Sequence, residues 1–144
     1  MRTRAAVALL VPAIVAGCGG GLSKSELVAK GDAICARVNK QIAKEPDPKT
    51  AADLERLARR TAEISGPAID DMEALEPPGE LDDDFETFVA SLKRQRELTQ
   101  QIGEAAGDGD TAKVQRIGAD AQKAQAEYNR VSAKIGFKQC GGGG

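Results

Sequence analysis

The stretch TAKVQRIGADAQKAQAEYNRVSAKI, residues 111–135, decides the fold class of this chain. Its apolar and small residues recur at alternating steps of three and four: Val114, Ile117, Ala121, Ala124, Tyr128, Val131 and Ile135. That spacing places them on one face of an α-helix, with polar residues on the other. Asp110 can cap the start of this helix and Gly136 can end it, so we expect a helix between them.

A first helix is expected much earlier in the chain. The sequence Ser23-Lys-Ser-Glu26 has the form of a capping box, which starts a helix by satisfying its first free amides. One face of that helix would carry Leu27, Gly31, Ile34, Val38 and Ile42. Two prolines within residues 45–48 cannot continue a helix, so we expect it to stop before them.

Two more helices are expected between these. The second begins near residues 49–50 and ends at Pro77-Pro78-Gly79, with an inner face of Leu54, Leu57, Thr61, Ile64, Ala68, Met72 and Leu75. Pro67 in its middle predicts a kink or a break, and the unbroken apolar rhythm favours a kink. The third runs from about residue 80 to 106, with an inner face of Leu81, Phe85, Phe88, Leu92, Gln95, Thr99 and Ile102.

Four amphipathic helices with short connections pack best as an antiparallel up-down-up-down bundle. No stretch alternates as a β-strand does, so the sequence predicts an all-α four-helix bundle over residues 23–140. Phe137 is expected to fold back onto the core. The glycines of residues 141–144 are expected to form a flexible tail.

A secretory leader is expected before the bundle. Residues 1–4 carry two arginines, and residues 5–16 are uncharged. A run of that length is too short to cross a bilayer of ~30 Å as a helix, which favours a signal segment. The run ends in Val15-Ala16-Gly17-Cys18, which resembles the lipobox of bacterial lipoproteins. The alternative is an ordinary secreted protein with a chance Cys after its cleavage site.

The lipobox resemblance implies a location for the mature chain. Residues 1–17 would be a lipoprotein signal peptide, removed before Cys18. The Cys18 thiol would carry a diacylglyceryl group, often with acylation of the new amine, and residues 18–22 would be a lipidated flexible spacer. Two or three acyl chains hold a protein firmly to a membrane. The protein would then lie on the extracytoplasmic face of the cell membrane, anchored through Cys18.

Charge restricts the partners that the mature chain would bind. Removing 17 of the 144 residues leaves 127 and changes the net charge from −2 to −4, because Arg2 and Arg4 are lost. A mildly acidic chain does not favour nucleic acid as a partner. The expected partners are the membrane and an envelope protein or polymer.

Cysteine usage predicts a covalent closure. If lipid occupies Cys18, then Cys35 and Cys140 remain, and leftover thiols outside the cytoplasm most often pair. We therefore predict a Cys35–Cys140 disulfide, which would join the segment after the fourth helix to the first helix. The alternative is two free buried thiols.

Three short motifs of the mature chain occur together in a recognisable order. Asp32-Ala-Ile-Cys35, Leu75-Glu-Pro-Pro78 and Gly136-Phe-Lys-Gln-Cys140 are similar to motifs of small lipoproteins or secreted proteins predicted in actinobacteria. The resemblance implies the helical bundle and the disulfide, and it brings no activity with it.

The residue inventory argues against catalysis. The chain has no His and no Trp, which excludes Ser-His-Asp and Cys-His sets, His-ligated haem and the Glu-x-x-His motifs of di-iron bundles. It has no Cys-x-x-Cys motif and no glycine-rich phosphate loop. We therefore expect no enzymatic activity and no cofactor.

One acidic segment could bind a divalent cation or a basic partner. Nine acidic residues surround the hairpin at residues 77–79: Asp70, Asp71, Glu73, Glu76, Glu80, Asp82, Asp83, Asp84 and Glu86. Asp82, Asp83 and Asp84 are weak candidates for metal ligands, because nothing in the spacing fixes a coordination geometry.

The competing interpretation of the acidic segment is a solvated hairpin. Acidic side chains are favoured in the first turns of a helix by its dipole. Basic residues near the end of the fourth helix would balance the rest: Arg130, Lys134 and Lys138.

Two functional hypotheses follow. The first is a non-catalytic envelope module with a structural or partner-binding role. The second is a carrier of a small ligand or divalent cation, using a pocket between helices or the acidic hairpin at residues 70–86. A pocket lined by both apolar and polar groups would favour the second. A solid Ala-packed core with an exposed apolar patch would favour the first.

Overall fold

The fold was obtained as a computed structural model that describes residues 21–141. Four α-helices occur in chain order: α1 (Lys24–Ile42), α2 (Ala51–Glu73), α3 (Asp82–Gly107) and α4 (Thr111–Ile135). A 3-10 turn over Gly79–Leu81 leads into α3, and residues 21–141 contain no β-strand. The expected signal peptide and lipobox lie outside the described residues, as does the tail after Gly141.

Local signals set most helix ends where the sequence predicted them. Ser23 and Thr50 each form a capping box at the start of α1 and α2. The Asp110 side chain accepts the amide of Lys113 at 2.8 Å, so it caps α4. Gly136 ends α4 with a φ of 102°, a left-handed conformation that glycine adopts at little cost.

The second helix passes through its proline and ends earlier than expected. Because α2 continues across Pro67, a break at that residue is excluded. The segment before the proline is supported by the Ala62 carbonyl, which accepts the Nε–H of Arg96 at 3.0 Å and the Ser65 hydroxyl at 3.3 Å. The helix stops at Glu73, three residues before Pro77-Pro78, and residues 75–78 form no regular secondary structure. A residue that precedes a proline disfavours the helical conformation.

The helices pack in sequence order as an antiparallel bundle. Helix α2 packs on α1 and on α3, and α3 packs on α4. Helices α1 and α4 have no comparably close packing of their backbones. Residues 136–141, named here the C-terminal strap, connect the end of α4 to α1.

The larger part of the core lies at the end of the bundle that holds the strap. Its buried residues are Leu27, Cys35, Met72, Leu81, Phe85, Phe88, Val89, Tyr128, Val131, Ile135, Phe137 and Cys140. Phe88 is fully buried at its centre, with ring centroids 5.4 Å from Tyr128 and 4.8 Å from Phe137. The expectation that Phe137 returns to the core is confirmed.

Helices α2 and α3 bury more of their surface than one stripe predicts. Beyond the expected faces, the structure buries Ala58, Ala62, Ile69, Val89, Leu98 and Ala105. Each of these two helices has a neighbour on two sides, so a second face is covered. A Cβ added at Gly103 of α3 would lie 2.8 Å from the Ala58 Cβ of α2, which shows how closely the two helices approach.

Candidate functional site: a central cavity

A cavity of about 260 Å³ lies between the helices. All four helices and the strap contribute to its wall. Its apolar lining comes mainly from Ile34, Val38, Ile42, Ile69, Met72 and Leu92. Ile34, Val38 and Ile42 of α1 are only half-buried. They face the cavity, because α4 does not pack closely enough on α1 to cover them.

Polar side chains interrupt the apolar wall. Four of them are amides: Asn39, Gln95, Gln125 and Gln139. Four more are hydroxyls: Thr61, Ser65, Thr99 and Tyr128. Arg96 is the one charged side chain among the described residues that line the cavity. The mixture of apolar surface and converging polar groups is typical of small-molecule sites.

The Gln95 amide stands out among these groups. Its Nε2 atom is buried and has no hydrogen-bond partner among the described residues. An unsatisfied buried donor costs about 1–3 kcal/mol, so native proteins rarely keep one without a reason. A ligand with a hydrogen-bond acceptor near Gln95 would satisfy this donor.

Tyr128 provides an aromatic wall with a hydroxyl. Its ring stacks on Phe88, and burial raises the pKa of Tyr128 to about 12, with a smaller contribution from the nearby Asp32 carboxylate. The hydroxyl therefore keeps its proton at neutral pH and remains a hydrogen-bond donor.

Arg96 is already engaged by the protein. Its Nε–H donates to the Ala62 carbonyl, and a Cβ added at Gly66 would lie 3.6 Å from its Nε and Nη2 atoms. The guanidinium thus lies over the backbone of α2. No carboxylate of residues 21–141 lies within ion-pair distance of it.

The strap closes one side of the cavity through Gln139 and Gly141. It is held to α1 by two backbone amides, since one Asp32 carboxylate oxygen accepts the N–H groups of Lys138 and Gln139 at 2.8 Å each. The Asn39 side-chain amide donates to the Gln139 carbonyl at 3.0 Å. The strap therefore lies along α1 as a fixed wall.

A disulfide completes the attachment of the strap. Cys35 and Cys140 are bonded, with their Cα atoms 5.2 Å apart, which confirms the predicted pair. The Ser132 hydroxyl donates to the Cys140 carbonyl at 2.5 Å and so holds the strap to α4 as well.

Three of the nine acidic residues around the hairpin form ion pairs with basic residues of other helices. Lys134 of α4 lies 2.7 Å from Asp84, as expected for a charge-balanced hairpin, and Lys93 lies 2.6 Å from Glu73. Arg37 pairs with Asp71. Within residues 21–141, no three carboxylate or Cys side chains converge where they could hold a metal ion.

The candidate metal ligands of the hairpin do not form a coordination site, and Arg130 forms its ion pair outside the acidic segment. Asp82 and Asp83 are exposed at the start of α3, and the structure does not join them with Asp84 into a coordination site. Arg130 pairs with Glu127 one turn earlier in α4 at 2.5 Å.

The start of the domain is docked on the same end of the bundle. The Leu22 amide donates to the Glu76 carbonyl at 2.8 Å, and the Leu22 side chain packs against the larger core. Two residues, Gly19 and Gly20, separate Gly21 from Cys18, the residue expected to carry lipid. Among the described residues, no helix combines the length and the apolar character needed to cross a membrane.

Sequence reasoning placed part of the cavity lining without identifying a site. Thr61, Gln95 and Thr99 were expected on inner helix faces, and the structure places all three at the cavity. A polar residue within an apolar helix face was the sequence signal that could have indicated a polar space in the interior. Gln125 and Gln139 carried no such signal, since they lie outside the periodic positions.

Comparison with known proteins gives no homologue from which to interpret the cavity. No protein-family model, no curated protein and no solved structure matches this chain.

Proposed function

We propose that this chain is a lipoprotein, anchored by lipid at Cys18 to the extracytoplasmic face of the cell membrane. Its helical domain binds a small molecule in the central cavity, without catalysis. The anchor and the cavity are supported by different observations, and each has its own test.

The anchor is supported by the order of signals at the N-terminus. A basic start, a short uncharged run and Val15-Ala16-Gly17-Cys18 follow one another directly. The bundle begins a few residues later, and Leu22 is bonded to the hairpin between α2 and α3. A chain of three residues reaches about 10 Å, so a lipid at Cys18 would hold that hairpin close to the membrane.

The anchor is tested by intact mass measurement of the protein purified from cell membranes. We expect a chain that starts at Cys18 and carries diacylglyceryl mass. The Cys18→Ser variant should lose this mass and leave the membrane fraction. A mature chain without added lipid would overturn the anchor and leave an ordinary secreted protein.

Ligand binding is supported by one observation above the others. The cavity joins apolar walls to a buried Gln95 amide that has no partner among the described residues. A bundle that served only as a spacer would gain stability by filling this space with apolar side chains, because buried voids and unsatisfied donors both destabilise a fold.

Binding is tested by NMR titration of the full chain carrying Cys18→Ser, which keeps lipid out of the sample. Toluene serves as a general probe of an accessible cavity. We expect shifts at the amides of residues that line the cavity. The Thr61→Leu variant, which adds apolar volume at the wall, should weaken these shifts. Shifts spread over the surface, or none at all, would overturn the proposal.

A further inference from the structure

We infer that the cavity binds an uncharged molecule of about ten non-hydrogen atoms, with an apolar ring and one hydrogen-bond acceptor that pairs with the Gln95 amide. This inference rests on the proposed function and specifies its ligand. Size, charge and hydrogen bonding each contribute to it.

The size follows from the volume. A protein cavity of about 150 Å³ with apolar walls takes up benzene, which has six carbon atoms. Scaling to the 260 Å³ of this cavity gives a ligand of about ten non-hydrogen atoms. That is the size of one six-membered ring with a short polar substituent.

The apolar part of the ligand follows from the walls. Ile34, Ile69 and Leu92 contribute branched aliphatic surface from three helices, and Met72 adds a flexible side chain. Tyr128 adds aromatic surface. A flat apolar ring would contact both kinds of surface.

The absence of charge follows from the polar lining. Amides and hydroxyls dominate it, and they pair with neutral acceptors and donors at little cost. Arg96 is the one cation among the described residues of the lining; its Nε–H donates to the Ala62 carbonyl, and its guanidinium lies over the α2 backbone near Gly66. An anion in the cavity would lose its hydration among neutral groups, and the single cation of the lining lies to one side against the α2 backbone.

The acceptor follows from Gln95. Its Nε2 atom makes no hydrogen bond with the described residues and is shielded from solvent. Gln95 lines the cavity, so a carbonyl or hydroxyl oxygen of a ligand there would accept this N–H group.

Three probes of similar shape test the ring, the acceptor and the charge separately: toluene, benzamide and benzoate. Toluene has the ring alone, benzamide adds a neutral acceptor, and benzoate replaces that acceptor with a charge. Each is titrated by NMR into the full chain carrying Cys18→Ser. We expect benzamide to bind about tenfold more tightly than toluene, the effect of one hydrogen bond, and benzoate to bind more weakly than both.

Two variants test whether Gln95 is responsible for the tighter binding of benzamide. Gln95→Leu should lower the benzamide affinity about tenfold while toluene binding is retained. Gln100→Leu, a change at an exposed position of the same helix outside the central cavity, should leave both affinities unchanged.

The outcomes distinguish this inference from the function on which it rests. If toluene and benzamide bind equally well and Gln95→Leu alters neither, the assigned hydrogen bond is wrong while the cavity remains a binding site. A preference for benzoate would overturn the uncharged class. If none of the three probes binds, the proposed ligand-binding function fails together with this inference.

Discussion

At the scale of single residues, Gly31 of α1 lies directly against the Phe137 ring. Gly31 lies inside α1, where a glycine usually costs about 0.5–1 kcal/mol relative to alanine. A Cβ added there would lie 2.3 Å from the Phe137 Cε1 atom. The missing side chain therefore makes room for the ring that anchors the strap.

Replacing Gly31 with alanine should destabilise the protein. We expect Gly31→Ala to lower the free energy of unfolding by about 1–3 kcal/mol, because the added methyl group displaces the Phe137 ring. Gly118→Ala is the matched control, since it changes a helical glycine with no neighbour within 4 Å. It should raise stability by about 0.5–1 kcal/mol.

Urea denaturation of both alanine variants provides the measurement. Helix propensity changes in the same direction in each, so the difference between them isolates the contact with Phe137. Equal shifts in the two variants would contradict this account of Gly31.

At the scale of elements, the strap replaces direct packing between α1 and α4. Asp32 accepts two strap amides, and Ser132 of α4 reaches the Cys140 carbonyl. These bonds tie the first and last helices to one short segment. The strap is therefore both part of the core and part of the cavity wall.

Removing the Asp32 carboxylate should loosen this element. We expect Asp32→Ala to lower the free energy of unfolding by about 1–3 kcal/mol, because two strap amides lose their acceptor. Asp108→Ala, at an exposed position after α3, should change it by less than about 0.5 kcal/mol. Thermal unfolding followed by circular dichroism would compare them, and similar losses in both would argue against the assigned contact.

Removing the disulfide should have a larger effect on the same element. The bond closes a loop of 105 residues, for which chain entropy gives about 4–5 kcal/mol as an upper figure. We expect the Cys35→Ser, Cys140→Ser double variant to lose about 2–5 kcal/mol in urea denaturation. The wild type after reduction should match it. Free thiols that alkylate in the unreduced native protein would show that the pair does not form.

Most helix ends could be predicted from the sequence because they depend on residues close together in the chain. The caps at Ser23, Asp110 and Gly136 act within a few residues, so helix ends could be read from the chain alone. Helix α4 has one neighbouring helix, and its single apolar stripe agrees with its buried face. The second buried faces of α2 and α3 depend on neighbours distant in sequence, so the spacing of apolar residues did not predict them.

The cavity was predictable only in part for the same reason. Thr61, Gln95 and Thr99 interrupt apolar stripes and mark a polar interior. That these side chains meet around one space depends on how α1 is held relative to α4, which the strap determines. No spacing within the sequence encodes that separation.

At the scale of the whole molecule, stability is unevenly distributed along the bundle. The strap end buries a cluster of 12 residues, whereas the other end buries Leu98, Ala105 and Ile117 as a separate cluster of three. The other apolar side chains that pack against the smaller cluster are only partly buried. The end that carries the connection at residues 108–110 should therefore open more readily.

Hydrogen exchange along α4 would measure this gradient. We expect amides of residues 115–121 to exchange faster than those of residues 128–135, because the latter lie against the larger cluster. The comparison uses one helix, so differences in helix type or length do not enter. Uniform exchange along α4 would indicate that the bundle opens only as a single unit.

The bond between Cys35 and Cys140 also makes the domain a covalent ring. A protease that cuts once at residues 43–50 or 108–110 leaves both pieces joined, and under the proposed anchoring both stay attached to the lipid. Shedding in one step then requires a cut between Cys18 and Cys35. Leu22, bonded to the Glu76 carbonyl, holds part of that short stretch against the bundle and away from a protease.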